Sequence, residues 1–154
     1  MSYPFISSSS RQSFNTPAPD ENQLDLIDTR TRKSSTILWI DDDGLFLDAA
    51  QGVLLMRGFT PLMAQSAVLG LFILCVCDVD AIVVDYNMPG VNGAQFAAQI
   101  RETRPELPVF LYSDCAAEID SDYPGLFDKA YPKGGDCLDQ LIRDLGVMTR
   151  SSLQ

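Results

Sequence analysis

Short apolar runs alternate with helix-length stretches from Ser35 to Leu145, and most of the runs stop at one polar residue. Thr36–Ile40 runs into Asp41, Asp42 and Asp43; Ala81–Val84 into Asp85; Leu107–Tyr112 into Ser113; a mixed fifth strand candidate, Leu126–Tyr131, ends near Lys133. Unbroken apolar runs of this length read as strands buried on both faces. Phe59–Ala64 reads as a further strand, and Pro61 assigns it to a sheet edge, because proline cannot donate to a ladder. Between the runs, Leu45–Met56 places Leu47, Ala50 and Leu54 at helical spacing. Ser66 can cap a helix at 67–76, Gly93–Thr103 is stopped by Pro105, and 115–122 is short and poorly apolar. Asp136–Leu145 sets Leu138, Leu141, Ile142 and Leu145 on one face. Strands alternating with helices specify an α/β fold with a parallel sheet, and right-handed crossovers put helices on both of its faces. In such sheets ligands bind at the carboxyl ends of the strands.

The folded unit is expected over 35–147, with a tail at 148–154. Residues 1–34, rich in Ser, Pro, Asn and Asp, are expected to be a disordered tail with at most a short helix at 21–29. Charge separates the same two parts. Residues 1–34 hold four acids and four bases, whereas the other 120 hold 17 acids and 7 bases and carry the whole net charge of −10. That balance argues against a nucleic-acid binder, whose surface is usually basic. The longest apolar run, Ala67–Cys77, is shorter than the roughly 20 residues a membrane helix needs. The start MSYPFISSSSRQ lacks the charged and apolar regions of a secretory signal. Cys75, Cys77, Cys115 and Cys137 therefore read as reduced thiols of a cytoplasmic protein, and with no histidine in the chain a zinc site lacks its usual ligands.

A parallel sheet brings Asp41, Asp42, Asp43, Asp85, Ser113 and Lys133 to one edge. Clustered carboxylates repel unless a cation joins them. An oxygen-only set with open positions suits Mg²⁺, which keeps waters and takes one or two carboxylates plus phosphate. A hydroxyl and a lysine opposite complete a site for a phosphoryl group, where positioning and charge neutralisation carry most of the chemistry.

The segments ILWIDDDGLFLDAA, DAIVVDYNMPGVNG, PVFLYSD and AYPKGG resemble, in this order, the receiver domain of bacterial two-component response regulators. The resemblance covers residues 36–146, and DYNMPGVNG is its most specific piece. It implies a flavodoxin-like (βα)5 three-layer sandwich with strand order 2-1-3-4-5, standing alone without an output domain. It implies that Asp85 accepts phosphate from a histidine kinase or phosphotransfer protein, and that the domain signals by protein contact rather than acting as an enzyme. Asp42 and Asp85 would hold Mg²⁺ directly, Asp41 largely through water, and Asn87 through its backbone carbonyl. Ser113 would hydrogen-bond the phosphoryl group, and Lys133 would pair with the carboxylate and then with a phosphoryl oxygen.

Three positions depart from the family's pattern. Asp114 stands where a small residue usually follows the hydroxyl, so slowed phosphorylation or altered dephosphorylation is expected. Ala130 stands where an aromatic often precedes the lysine by three, and Tyr131 lies next to it. Pro132 precedes Lys133 instead of following it, leaving the Tyr131–Pro132 peptide bond open to either isomer.

Two other functions compete. ILWIDDDG also resembles the first motif of haloacid-dehalogenase-like phosphatases, with Asp41 as nucleophile and Asp43 as acid/base. The alternative without phosphorylation is a receiver-like binding module. The helix at 67–76, apolar nearly all round, is expected to be covered by neighbouring side chains and the N-terminal tail or to form a homodimer or partner surface.

Overall fold

The computed structural model describes residues 33–151. Its elements are β1 (Thr36–Ile40), α1 (Gly44–Met56), β2 (Thr60–Ala64), α2 (Ala67–Val76), β3 (Ala81–Val84), α3 (Gly93–Thr103), β4 (Val109–Tyr112), α4 (Ala116–Asp122), β5 (Lys129–Tyr131) and α5 (Cys137–Ser151). The strands pair in the order β2-β1-β3-β4-β5, every pair parallel. This is the flavodoxin-like order expected. The tail expected at 1–34, with its possible helix at 21–29, lies outside the described residues apart from Lys33 and Ser34.

The continuous apolar runs are strands for the reason anticipated: both faces are covered. Ile37, Leu38 and Ile40 have no exposed surface, and each such side chain contributes about 1.5–3 kcal/mol over an exposed one. Alternation along each strand divides the core in two. Leu38, Ile40, Ile82, Val84 and Leu111 face one layer with Phe96 and Ile100 of α3. Ile37, Trp39, Val83, Phe110 and Tyr131 face the other with Leu54 of α1 and Leu141 and Leu145 of α5.

The helix starts are fixed by side-chain caps. Asp43 accepts from the amides of Leu45 and Phe46, Ser66 from that of Leu69, and Asn92 forms a reciprocal capping box with Gln95. Two glycines set how closely helices approach the sheet. A Cβ at Gly70 of α2 would lie 2.5 Å from Ile40 Cδ1, and one at Gly93 of α3 would lie 2.3 Å from the Asp85 carbonyl oxygen.

Three boundaries differ from the sequence reading by two residues or more. β4 begins at Val109 rather than Leu107, because the Leu107 amide closes a turn on the Arg104 carbonyl and Pro108 has no amide. β5 begins at Lys129 rather than Leu126, because Leu126 bonds back to Tyr123 in a turn and the Asp128 carboxylate takes the Val109 amide. α5 runs on through Gly146 to Ser151, so a tail does not begin at 148. Leu145 and Thr149 continue its buried face.

Candidate functional site

Strand register builds the site. Ile40 pairs with Val84, so the next residues, Asp41 and Asp85, leave neighbouring strands side by side. The Asp85 amide bonds to the Ile40 carbonyl at 2.9 Å and the Asp41 amide to the Ala64 carbonyl at 3.1 Å. Across the sheet the Ser113 amide bonds to the Tyr131 carbonyl at 3.1 Å, and the Lys133 amide to the Ser113 carbonyl at 3.2 Å. Asp41, Asp85, Ser113 and Lys133 therefore reach one edge on backbone that is hydrogen-bonded to its neighbours, as the alternating pattern required.

Asp41 and Ser113 are fully buried and Asp85 is 5 % exposed. One carboxylate oxygen from each of Asp41, Asp42 and Asp85 lies within 4.8 Å of the others. The Lys133 ammonium is 2.7 Å from Asp41 Oδ2 and 3.5 Å from Asp85 Oδ2. Three carboxylates against one ammonium leave a surplus of negative charge in a partly dry pocket. Oxygen ligands only, one of them on the exposed Asp42, fit a hard divalent cation that retains water.

The electrostatics agree. Burial pushes the Asp85 carboxyl above its ordinary value, against the opposing pull of Lys133 and a hydrogen bond from Ser113. Burial pulls the Lys133 ammonium down, but the hydrogen bond to Asp41 and the charges of Asp41 and Asp85 outweigh it and hold its pKa above the ordinary value. Asp85 is thus a desolvated carboxylate short of positive charge.

Other predicted residues fall at the rim. Asn87 is exposed, and its side-chain amide points to the Cys115 thiol at 3.8 Å. Cys115 Sγ also lies 3.6 Å from Ser113 Oγ. Asp114 is exposed. Asp43 is committed to the α1 cap, with its Oδ1 taking two amides, which argues against an acid/base role there.

Sequence reasoning missed several supports. Phe46 places its ring 5.2 Å below the Lys133 ammonium, a cation–π contact, and stacks on Tyr112, while Trp39 meets both rings edge-on. The Trp39 Nε1 has no hydrogen-bond partner among the described residues. Gly93, whose amide bonds to the Tyr86 carbonyl at 2.9 Å, lets α3 close against the backbone that carries Asp85. The last glycine of DYNMPGVNG was the available signal. Tyr131 faces α5 instead of the α3 layer, and its hydroxyl donates to Asp144 there, which also takes Lys129 Nζ at 2.8 Å. Ala130 faces the α3 layer with only a methyl group. The Tyr131–Pro132 bond is trans.

A sequence profile described as "Response regulator receiver domain" matches residues 37–123. The chain belongs to this family. The receiver is 27% identical over 123 residues to response regulator MprA of Mycobacterium ulcerans, covering 79% of this chain and 53% of MprA. It is 32% identical over 78 residues to response regulator protein FleR of Pseudomonas aeruginosa, covering 51% of this chain and 16% of FleR. The chain therefore spans about half the length of the MprA relatives it matches.

Among solved structures, the receiver domain of the Francisella response regulator 1452 superposes with a TM-score of 0.71 at 21% identity, covering 77% of this chain and 99% of that one. Response regulator TrrA of Thermotoga maritima, solved in complex with Mg²⁺-BeF, superposes with a TM-score of 0.66 at 22% identity, covering 72% and 98%. These likenesses confirm the receiver fold. Among the described residues, no helix is long and apolar enough to cross a membrane.

Proposed function

We propose that Asp85 accepts a phosphoryl group from a histidine kinase or phosphotransfer protein, and that this receiver signals by protein contact in the cytosol rather than by turning over a substrate. The observation that carries the reading is the buried Asp85 carboxylate, which has carboxylate oxygens of Asp41 and Asp42 within 4.8 Å and the Lys133 ammonium at 3.5 Å. A carboxylate oxygen of Asp85 bonds to phosphorus as the donor's nitrogen–phosphorus bond breaks, and the imidazole leaves with the bonding pair. Ser113 would donate its hydroxyl to a phosphoryl oxygen, and Lys133 would move from Asp85 to another as negative charge transfers. Asp41, Asp42, Asp85 and the Asn87 backbone carbonyl would hold Mg²⁺, which when bound neutralises phosphoryl oxygens. We take the receiver unit to begin at Ser35 and to include α5.

Labelling with a small-molecule phosphodonor tests the reading. Wild-type protein should gain one acyl phosphate that requires Mg²⁺ and is cleaved by hydroxylamine, while Asp85→Asn should gain none. Unlabelled wild type would instead assign the fold to a phosphorylation-independent binding module. Hydrolysis of a generic phosphate monoester that survives Asp85→Asn but not Asp41→Asn would revive the phosphatase.

A further inference from the structure

Helix α2 reads AVLGLFILCV and holds no charged residue. Its inner face is tied down: Ala67, Gly70 and Leu74 are buried, and Gly70 lies against Ile40. Its outer face is not covered by the rest of the described chain. Val68 is 71 % exposed, Phe72 62 % and Val76 64 %, with Leu69 beside them. Large apolar side chains in a continuous stripe mark an interaction surface.

Two features select a second copy of this chain as the occupant. The first is the stripe's symmetry. Val68, Phe72 and Val76 are spaced four residues apart with the same residue at either end. Laid antiparallel on its copy about a two-fold axis through Phe72, each Val68 meets the other copy's Val76, and the two phenylalanines meet on the axis. A two-fold interface must be self-complementary in this way, and rows of residues four apart interdigitate in the commonest helix crossing.

The second feature is charge. Two copies of a chain with net charge −10 repel wherever carboxylates meet. An uncharged helix face keeps carboxylates out of the contact itself, whereas a basic partner would find no acid on the stripe to recognise. The antiparallel order also sets exposed Asp78, just past the end of α2, near the amino end of the copy's α2. That end carries the helix's positive partial charge and no acid of its own in the first turn.

We propose that α2 is a homodimer interface formed by Val68, Phe72 and Val76 packed antiparallel against their counterparts. α2 packs on β1 and β2, so the interface lies at the far side of the sheet from β5 and α5. Phosphorylation of Asp85 and dimerisation are then separable, and neither reading depends on the other. One helix pair makes a small interface, so a weak, micromolar association is expected.

Sedimentation velocity on the full chain, from about one to several hundred micromolar, tests this. The wild type should pass from monomer to dimer, and Phe72→Glu should stay monomeric with an unchanged circular dichroism spectrum. The antiparallel register has its own signature. Val68→Lys alone and Val76→Glu alone should each weaken the dimer at least tenfold, and the two together in one chain should restore it, because the new charges meet across the axis. A wild type that stays monomeric, a dimer indifferent to Phe72→Glu, or a double variant no better than the singles would each overturn the proposal.

Discussion

The Lys133 ammonium stands nearer to Asp41 than to Asp85, at 2.7 Å against 3.5 Å. The lysine therefore balances a fully buried carboxylate as well as the proposed phosphoacceptor.

Removing that lysine should cost stability as well as chemistry. Lys133→Met leaves Asp41 buried beside two other acids, and breaking a buried pair by deleting one partner costs about 3 kcal/mol or more. Urea denaturation of Lys133→Met, Asp41→Asn and the double variant should show strong coupling, with the double variant more stable than Lys133→Met alone.

Asp85→Asn should raise the melting temperature in chelator by a few degrees, because it removes a desolvated charge that nothing in the pocket fully compensates. Millimolar Mg²⁺ should raise the melting temperature of wild type and leave Asp85→Asn largely unmoved. Thermal scans of both proteins, with and without the cation, check this.

Gly93→Ala puts a methyl group 2.3 Å from the Asp85 carbonyl, where the obstacle is backbone and cannot swing aside. The expected loss is about 1–3 kcal/mol, together with slower phosphodonor labelling, since the loop that moves carries Asp85. Gly52, which has open space around it, supplies the control: Gly52→Ala should be neutral or stabilising.

The Tyr131–Asp144 hydrogen bond predicts a pH dependence. Burial and the bond to Asp144 raise the Tyr131 phenol, so its contribution is complete below the ordinary value of 10.0 and is lost as pH rises through the higher folded-state value. Hydrogen bonds from Lys129 and Tyr131 lower the Asp144 carboxyl, so its contribution is complete above 3.8 and is lost as pH falls through the lowered value. Tyr131→Phe should cost about 1–2 kcal/mol near neutrality and should flatten the fall in stability above pH 10 that wild type shows in denaturant titrations.

Asp114→Ala should speed labelling by an anionic phosphodonor several-fold, because the carboxylate next to Ser113 is exposed where the donor arrives. Stopped-flow labelling at low ionic strength would show the difference most clearly, and equal rates would remove Asp114 from the account.

The site was legible in the sequence because its members terminate buried strands. An unbroken run such as AIVV has one exit, and Asp85 occupies it; parallel register then sets Asp41 beside it without further information. The strand ends were less legible. Leu107 and Leu126 are apolar enough to extend β4 and β5, yet turns close on them through Arg104 and Tyr123. The supports were hidden by sequence distance. Nothing local marks Phe46 as the neighbour of a lysine 87 positions later (133 − 46), or Asp144 as the acceptor for Tyr131. α2 was read correctly as apolar all round, but only its inner half found cover within the described chain.

The aromatic group beside Lys133 has a practical consequence. The chain has one tryptophan, and Trp39 touches Phe46, which also stacks on Tyr112 and lies under the Lys133 ammonium, the group proposed to shift on phosphoryl transfer. Its indole is wholly buried with an unbonded N–H, so its emission should lie at the blue end of the indole range. The receiver thus carries an intrinsic optical reporter three contacts from Asp85, through which occupancy of the site can be timed without a label.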